Sequence, residues 1–256
     1  MTGMLYLAGL GLSGRDIPIG SLDAIARAEP YIERYTSFVP ATALGLVRER
    51  TGKVPIELSR KDLEDDVGMF VSKAKNADIV LLTGGDPMTA TTHKIIINEA
   101  LDRGIDTAVI HAASIFTAAI GESGLDFYRF GQITTVPRWS GHYKPVSFYE
   151  KLAANATAGL HSLVLLDYFP ENESSLPIRD TVATLFAAEA HYGAGLLRGD
   201  TSVIVMHNIG LAGCTVKRLA LGDASGLELG SGPTSIIIPA KLSDIEEETL
   251  ARRLGL

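Results

Sequence analysis

The residues best suited to chemistry lie at positions 84–93, with the sequence Gly-Gly-Asp-Pro-Met-Thr-Ala-Thr-Thr-His. They follow an apolar, strand-like run at residues 79–83 and precede a helix-like segment. The two glycines let the backbone turn sharply and approach a ligand closely, and Pro87 suits a first helical turn. Asp86 adds a fixed acceptor beside exposed N–H groups, so the stretch predicts a ligand-binding edge. The alternative is that Asp86 only caps the helix.

A second segment, residues 111–115, repeats this arrangement with the sequence His-Ala-Ala-Ser-Ile. Its small side chains leave room for a flat ligand, while the alternative is that Ser114 simply caps the next helix. The six histidines of the chain are scattered outside recognisable catalytic motifs, and each is interpreted as structural. The sequence therefore assigns no catalytic residue.

Glycines at positions 9, 11 and 14 match the G-x-G-x-x-G spacing of dinucleotide-binding folds. In such a fold a helix would run through the motif, but Pro18 and Gly20 interrupt this segment. Ser21 is the better N-cap, for a helix at residues 22–28. The glycines are interpreted as a flexible turn from strand to loop, whose backbone lies against a bulky group. The alternative is that the turn is purely structural.

The elements that must position these residues alternate between strands and helices in the first half of the chain. Apolar runs predict strands at residues 4–8, 32–35, 54–57, 79–83 and 107–111, with helices between them and one at residues 65–75. This alternation is typical of a largely parallel sheet with helices on both faces.

The second half changes character, with a junction and a functional loop predicted between residues 121 and 145. The predicted elements after it are helices at residues 147–159 and 180–193, and strands at residues 162–167, 202–207, 214–221 and 234–238. The adjacent late strands favour antiparallel pairing. The predicted fold is therefore two α/β domains, residues 1–112 and 113–256, with a largely parallel first sheet and a mixed second sheet.

Composition narrows the class of protein. The formal net charge of −7 and the lack of a basic run argue against nucleic-acid binding. The single cysteine, Cys214, cannot form an internal disulfide, and no Cys/His cluster has zinc spacing, so no metal is expected. No leader is expected, because the apolar start at residues 4–8 has no basic segment before it and is broken by Gly9 and Gly11. No membrane span is expected, because the apolar runs have strand length. These features favour a cytoplasmic protein.

Several blocks in order resemble the diphthine synthase family. They lie at residues 6–12, 33–37, 85–93, 109–115, 147–151, 159–167 and 239–242, and so extend over nearly the whole chain. The resemblance implies a tetrapyrrole-methylase type of S-adenosylmethionine-dependent methyltransferase. It also implies a homodimer of two-domain chains, with the cofactor folded in a cleft between the two domains.

The same resemblance implies which residues contact the cofactor, S-adenosylmethionine, or its product S-adenosylhomocysteine. They are Leu12, Asp86, Thr89, Ser114, Ile115, Leu166, Ile209 and Thr234. Two positions depart from the family pattern: Thr234 stands where members can carry histidine, and Ile209 stands where they can carry alanine. Backbone atoms at these positions can still bind adenine.

The implied substrate is translation elongation factor 2. The family methylates the amino group of a 3-amino-3-carboxypropyl unit on one of its histidines, a step towards diphthamide. Two alternatives stay open: a corrin or porphyrin methyltransferase of the same fold, and a catalytically silent S-adenosylmethionine-binding module. For partner contact, residues 137–143 combine a cation with aromatic side chains, which predicts the border of the acceptor entrance. The alternative is that Trp139 packs at the domain junction.

Overall fold

The computed structural model describes residues 3–254, which divide into two compact units between Ile115 and Phe116. The strands of the first unit are β1 (Met4–Gly9), β2 (Glu29–Glu33), β3 (Ile56–Leu58), β4 (Ile79–Thr83) and β5 (Asp106–Ile110). Its helices are α1 (Ile19–Arg27), α2 (Ala41–Thr51), α3 (Arg60–Glu64), α4 (Val67–Ser72) and α5 (Lys94–Asp102).

The strands of the first unit form one parallel sheet in the order β3-β2-β4-β1-β5. All five residues of β4 are buried, because alternate side chains enter cores on opposite faces. Ile79 and Leu81 pack with α4 and α5, while Val80 and Leu82 pack with α1 and α2. The predicted parallel sheet with helices on both faces is confirmed.

Two helix predictions in this unit were wrong. Ser21 does not cap α1, which begins at Ile19 after the N-cap residue Pro18. Its hydroxyl instead donates a hydrogen bond of 2.9 Å to the carbonyl oxygen of Gly9, and this contact ties the helix to the end of β1. The helix predicted at residues 65–75 is divided between α4 and a 3₁₀ turn at Lys73–Lys75.

In the second unit the strands are β6 (Thr134–Val136), β7 (Ser162–Leu166), β8 (Tyr168–Phe169), β9 (Ser174–Ser175), β10 (Ser202–His207), β11 (Thr215–Ala220) and β12 (Thr234–Ile238). The helices are α6 (Ile115–Ser123), which starts at the last residue of the first unit, α7 (Phe148–Thr157), α8 (Ile178–Tyr192), α9 (Leu221–Ala224) and α10 (Asp244–Leu254). Two further 3₁₀ turns lie at Phe127–Arg129 and Pro170–Asn172.

The main sheet of the second unit has the order β11-β10-β12-β7-β6. Three strand pairs are antiparallel, namely β10 with β11, β10 with β12, and β12 with β7. The fourth pair, β6 with β7, is parallel. The predicted mixed sheet is confirmed, and β8 pairs with β9 in a separate short hairpin.

Helix α10, which the sequence analysis did not predict, is attached to its unit through the buried carboxylate of Glu246. This carboxylate accepts hydrogen bonds from the N–H groups of Asp126 and Ser243, at 3.0 and 2.8 Å. It also accepts one from Nε2 of His161, at 2.9 Å, and contacts Arg129. Because the N–H of Ala240 donates to Nδ1 of His161, the proton of the neutral ring lies on Nε2.

Candidate functional site

Three parallel strands of the first unit end at one edge of its sheet. Gly9 of β1 lies beside Thr83 of β4, and Ala8 lies beside Ile110 of β5. Beyond the strands, Gly11 and Gly85 exchange two backbone hydrogen bonds, of 3.3 and 2.8 Å. The loops that carry the predicted binding residues therefore meet where ligands bind in open α/β sheets.

Asp86 is the centre of this edge. Its Oδ1 accepts from the N–H of Met88, at 2.9 Å, and from the hydroxyl of Thr89, at 3.2 Å. Its Oδ2 accepts from Nδ1 of His111, at 2.8 Å, and from the N–H of Ala112, at 3.1 Å. An ionised carboxylate has about four acceptor positions, so these four donors use its hydrogen-bonding capacity. Asp86 thereby joins the loop after β4 to the residues after β5.

The environment of Asp86 favours its ionised form. Burial alone would raise the pKa of this carboxyl, since the side chain is only 7% exposed. The hydrogen bonds from Met88, His111 and Ala112 outweigh burial and hold the pKa below its ordinary value. Asp86 does not cap a helix, because α5 begins only at Lys94. It organises a turn instead.

The loop after β1 is folded around a carboxylate that the sequence analysis missed. Asp16 accepts hydrogen bonds from the N–H groups of Leu12 and Ser13, at 2.8 and 2.9 Å, and another from the hydroxyl of Ser13. These contacts fix the backbone at Leu12. A Cβ atom placed on Gly85 would make only van der Waals contacts, at 3.8 Å to Leu12 and Ala113, so a small recess at Gly85 has room for a methyl group.

The other residues predicted in the first unit, Thr89, Ser114 and Ile115, follow Asp86 or Ala112 closely along the chain. Thr89 donates to Asp86, and Ser114 is 9% exposed, two residues beyond Ala112. Ile115 begins α6. The first unit therefore brings Leu12, Asp86 and Thr89 to the sheet edge together with the segment that carries Ser114 and Ile115.

A buried polar cluster supports residues 84–93 from beneath. Glu33 and Thr83 are 0% exposed and His93 is 1% exposed. The carboxylate of Glu33 accepts from the hydroxyl of Thr83 and from the N–H of Thr36, and it lies 3.6 Å from Nε2 of His93. Nδ1 of His93 is 2.7 Å from the carbonyl oxygen of Pro87. The cluster thus fixes the far end of the loop, a role the sequence analysis did not assign.

The second unit brings together the other three predicted residues. Thr234 pairs with His207, and the register of Ser235 with Leu165 puts Leu166 next to Thr234 on the neighbouring strand. Leu166, His207 and Thr234 share one sheet face by strand alternation. Ile209 lies two residues beyond the end of β10 and is 5% exposed. These residues form a second candidate contact set.

Two polar groups in the second set were missed by the sequence analysis. Nδ1 of His207 is 2.9 Å from the hydroxyl of Thr234, and burial lowers the pKa of this histidine, so the ring is neutral. The amide oxygen of Asn208 is buried, with no hydrogen-bond partner among residues 3–254. Asn208 also has a φ of +56°, which turns the chain sharply after β10. Its unused acceptor matches a ligand that carries an amino group.

The loop that was predicted to border an acceptor entrance follows β6. In this loop the N–H of Arg138 donates a hydrogen bond of 3.1 Å to the carboxylate of Asp167, the residue after Leu166. The guanidinium of Arg138 lies over the ring of Phe169, at 4.7 Å, and Nε1 of Trp139 donates to the carbonyl oxygen of Pro145. Tyr143 is 67% exposed. This loop is thus attached near one predicted contact residue and exposes an aromatic ring.

A cavity of about 780 Å³ lies elsewhere in the first unit, and none of the predicted residues lines it. Its lining includes Asp62, Asp65, Asp66, Met69 and Arg103. Among residues 3–254, no group of three or more histidine, cysteine or acidic side chains has an arrangement that could hold a metal ion. No helix within that range has both the length and the apolar character needed to cross a membrane.

Comparison with known proteins identifies the class of protein. A sequence model described as Tetrapyrrole (Corrin/Porphyrin) Methylases matches residues 4–225, and the chain belongs to this family. Diphthine synthase of Methanothermobacter thermautotrophicus is 34% identical over 254 residues, which is 98% of this chain and 96% of that protein. Diphthine synthase of Methanocaldococcus jannaschii is 36% identical over 254 residues, 96% of this chain and 97% of that protein.

A solved structure of diphthine synthase agrees, with a TM-score of 0.87, 32% identity, and coverage of 99% of this chain and 96% of that chain. Within the methylase family, the chain belongs to the diphthine synthases. The identification made from the sequence motifs is thereby confirmed, as is the enzyme class, a methyltransferase.

Proposed function

We propose that this enzyme transfers methyl groups from S-adenosylmethionine to the 3-amino-3-carboxypropyl-histidine of translation elongation factor 2. Repeated transfer to the same amino group gives diphthine, an intermediate of diphthamide. The observation that carries the proposal is the gathering of predicted contact residues at one sheet edge in each unit of a chain that matches diphthine synthases over nearly its full length.

The residues present fit such a cofactor. In the first unit, Leu12 and Ala113 border the recess at Gly85, which leaves room for close backbone approach. In the second unit, the unpaired acceptor of Asn208 suits the amino group of adenine. Leu166 and Ile209 offer buried apolar surface in the same unit. Thr89, Ser114, Ile115 and Thr234 complete the proposed contact set.

Asp86 contributes through charge in this proposal. Its oxygens are occupied by four protein donors, so a bound cofactor would meet its negative field and the loop it organises. S-adenosylmethionine supplies an activated methyl group on a cationic sulfur that becomes neutral when the methyl leaves. A nearby carboxylate favours the cationic donor over the neutral product, which assists exchange between rounds.

The chemistry requires orientation more than a covalent intermediate. The acceptor nitrogen, the methyl carbon and the sulfur must be collinear, and such positioning corresponds to effective molarities of about 10⁵–10⁸ M. Transfer ends at the quaternary ammonium, because that nitrogen has no lone pair. A site that permits rotation of the amine between rounds is therefore sufficient for multiple methylation.

The setting of the reaction is part of the proposal. We infer a cytoplasmic homodimer with a protein substrate, in line with the expectations from the family motifs. The loop that carries Arg138, Trp139 and Tyr143 would contact the acceptor protein. Replacing Arg138 and Trp139 with alanine would then weaken methylation of the acceptor more than cofactor binding.

The test is acceptor-dependent turnover. The enzyme is incubated with S-adenosylmethionine and either modified elongation factor 2 or a porphyrin precursor, and release of S-adenosylhomocysteine is measured. Turnover only with the elongation factor supports the proposal. Turnover with the porphyrin precursor alone identifies a small-molecule methyltransferase, and cofactor binding without turnover identifies a silent binding module.

A further inference from the structure

His111 occupies a distinctive position at the proposed site. It is the first residue after β5, and its side chain is 69% exposed although its neighbour Asp86 is buried. Nδ1 of His111 lies 2.8 Å from Oδ2 of Asp86, and the same oxygen accepts the N–H of Ala112. One carboxylate oxygen of Asp86 therefore holds both the imidazole of His111 and the backbone N–H of Ala112.

The contact determines which ring nitrogen carries the proton. An ionised carboxylate only accepts hydrogen bonds, so Nδ1 of His111 is the donor. In the neutral ring Nε2 then has a free lone pair, and within residues 3–254 no hydrogen bond occupies it. Asp86 is the charged group that faces His111, and in that range neither residue pairs with a lysine or arginine. A carboxylate-oriented imidazole with a free nitrogen is the arrangement of a general base.

The other histidines lack this combination. His93, His161 and His207 are each at most 5% exposed, and their rings are part of internal hydrogen bonds. His142 and His191 are exposed, but neither forms an ion pair with a carboxylate in the described part of the chain. Among the described histidines, only His111 is both exposed and held in orientation by a carboxylate.

We propose that His111 is the general base that removes protons from the acceptor amine. This inference rests on the proposed function. An N–H bond of the ammonium breaks and its proton moves to Nε2 of His111, leaving the electron pair on nitrogen. That pair forms the bond to the methyl carbon as the carbon–sulfur bond breaks, and the sulfur keeps the electrons of the broken bond. His111 then releases its proton to water.

The proton balance explains why a base helps in every round. An amine with a pKa of roughly 8 is mainly protonated at pH 7, so the first transfer needs the loss of one proton. The monomethyl and dimethyl products form as ammonium ions, and each must lose a proton before it reacts again. Three transfers thus release three protons, and the quaternary product releases none.

The test uses His111→Asn, which keeps an N–H donor for Asp86 but has no basic nitrogen. We expect kcat/KM for methylation of modified elongation factor 2 to fall about 10²-fold at pH 7, within the usual contribution of a positioned base. The loss shrinks towards pH 9, where the amine is already deprotonated. Calorimetry should find the Kd for S-adenosylmethionine within about threefold of the wild type.

The matched control is His191→Asn, at an exposed histidine that contacts the ring of Tyr192, and its kcat/KM should not change. A His111→Asn enzyme within about threefold of the wild type at pH 7 would overturn the inference. A loss of the same size from pH 6.5 to 9 would also overturn it, since that indicates a structural role. Failure of the wild-type enzyme itself to methylate the acceptor would instead contradict the proposed function.

Discussion

Gly11 and Gly85 exchange two backbone hydrogen bonds and so join the loops that follow β1 and β4. Both residues have left-handed backbone, with φ of +70° and +69°, a conformation that favours glycine. Behind them, Gly9 lies against the carbonyl oxygen of Gly85, where an added Cβ would be only 2.4 Å away. The close approach of these loops depends on the absence of side chains.

Substitution of these glycines should therefore have graded effects on the free energy of unfolding. Gly9→Ala should destabilise by about 3 kcal/mol because its methyl has no room. Gly85→Ala should cost only about 1–2 kcal/mol, because the cost there is backbone strain. Gly45→Ala, in the open interior of α2, should stabilise by about 0.5–1 kcal/mol. Urea unfolding of the three variants measures this order, and equal effects at positions 9 and 45 would contradict it.

Asp86→Asn should weaken cofactor binding about tenfold. The amide replaces one acceptor oxygen with an NH₂ group, which must face a donor such as the N–H of Ala112 or Met88. The substitution also removes the negative charge of the Asp86 carboxylate. Calorimetry with S-adenosylmethionine measures the change, with Asp102→Asn on the exposed side of α5 as the control. Unchanged affinity in Asp86→Asn would restrict Asp86 to a structural role.

Thr83→Val tests the buried cluster beneath the loop. The substitution removes a hydroxyl that donates to the buried Glu33 carboxylate, at nearly constant volume. We expect a loss of roughly 1–3 kcal/mol in the free energy of unfolding, the usual cost of an unsatisfied buried group. Thr135→Val, at an exposed position of β6, is the control and should change stability by less than about 0.5 kcal/mol. Equal stability of both variants would remove the proposed importance of the Glu33 contact.

Glu246 should make folding sensitive to acid. Burial raises the pKa of Glu246, but hydrogen bonds from Ser243, Asp126 and His161 outweigh it and lower the pKa to about 2, against 4.5 for an unperturbed glutamate. Between these values the unfolded chain binds more protons, so stability is fully present above about pH 5 and is lost as the pH falls towards 2. Burial also lowers the pKa of His161, which acts in the same direction.

The measurement is urea unfolding from pH 7 to pH 3. Glu246→Gln should lose about 3 kcal/mol at pH 7, because one partner of a buried pair loses its charge. It should also have a flatter pH profile than the wild type. Glu247→Gln, at the exposed neighbouring position, should keep the wild-type profile. Parallel profiles for the wild type and Glu246→Gln would show that Glu246 is not the source of the acid sensitivity.

The most buried strands were predictable because burial leaves a local pattern, whereas the strand predicted at residues 32–35 lies at residues 29–33 and the short strand β6 was not predicted. Every side chain of β4 is buried, and the predicted range, residues 79–83, matches the strand. The start of α1 was not predictable from capping preference, since the hydroxyl of Ser21 bonds Gly9 across the fold. Helix α10 has a polar sequence, and its anchor, Glu246, meets its partner His161 over a separation of 85 residues.

The same distinction applies to the candidate site. The sequence singled out Asp86 and the small residues after β5 because glycines and strand ends are local signals. It interpreted His111 as structural, because its pairing with Asp86 spans 25 residues and requires β5 to lie beside β1. Asp16 and Asn208 were also missed. Asp16 binds the backbone N–H of Leu12, and Asn208 contributes a buried amide oxygen that has no partner among residues 3–254.

The proposed methyl transfer is tested most directly by mass spectrometry of elongation factor 2 that carries 3-amino-3-carboxypropyl-histidine. The protein is incubated with this enzyme and S-adenosylmethionine, and the modified peptide is sequenced. We expect the mass to rise in methyl-sized steps at that histidine and to stop at the quaternary ammonium. An unchanged mass, under conditions where calorimetry detects cofactor binding, would contradict the proposed methyl transfer.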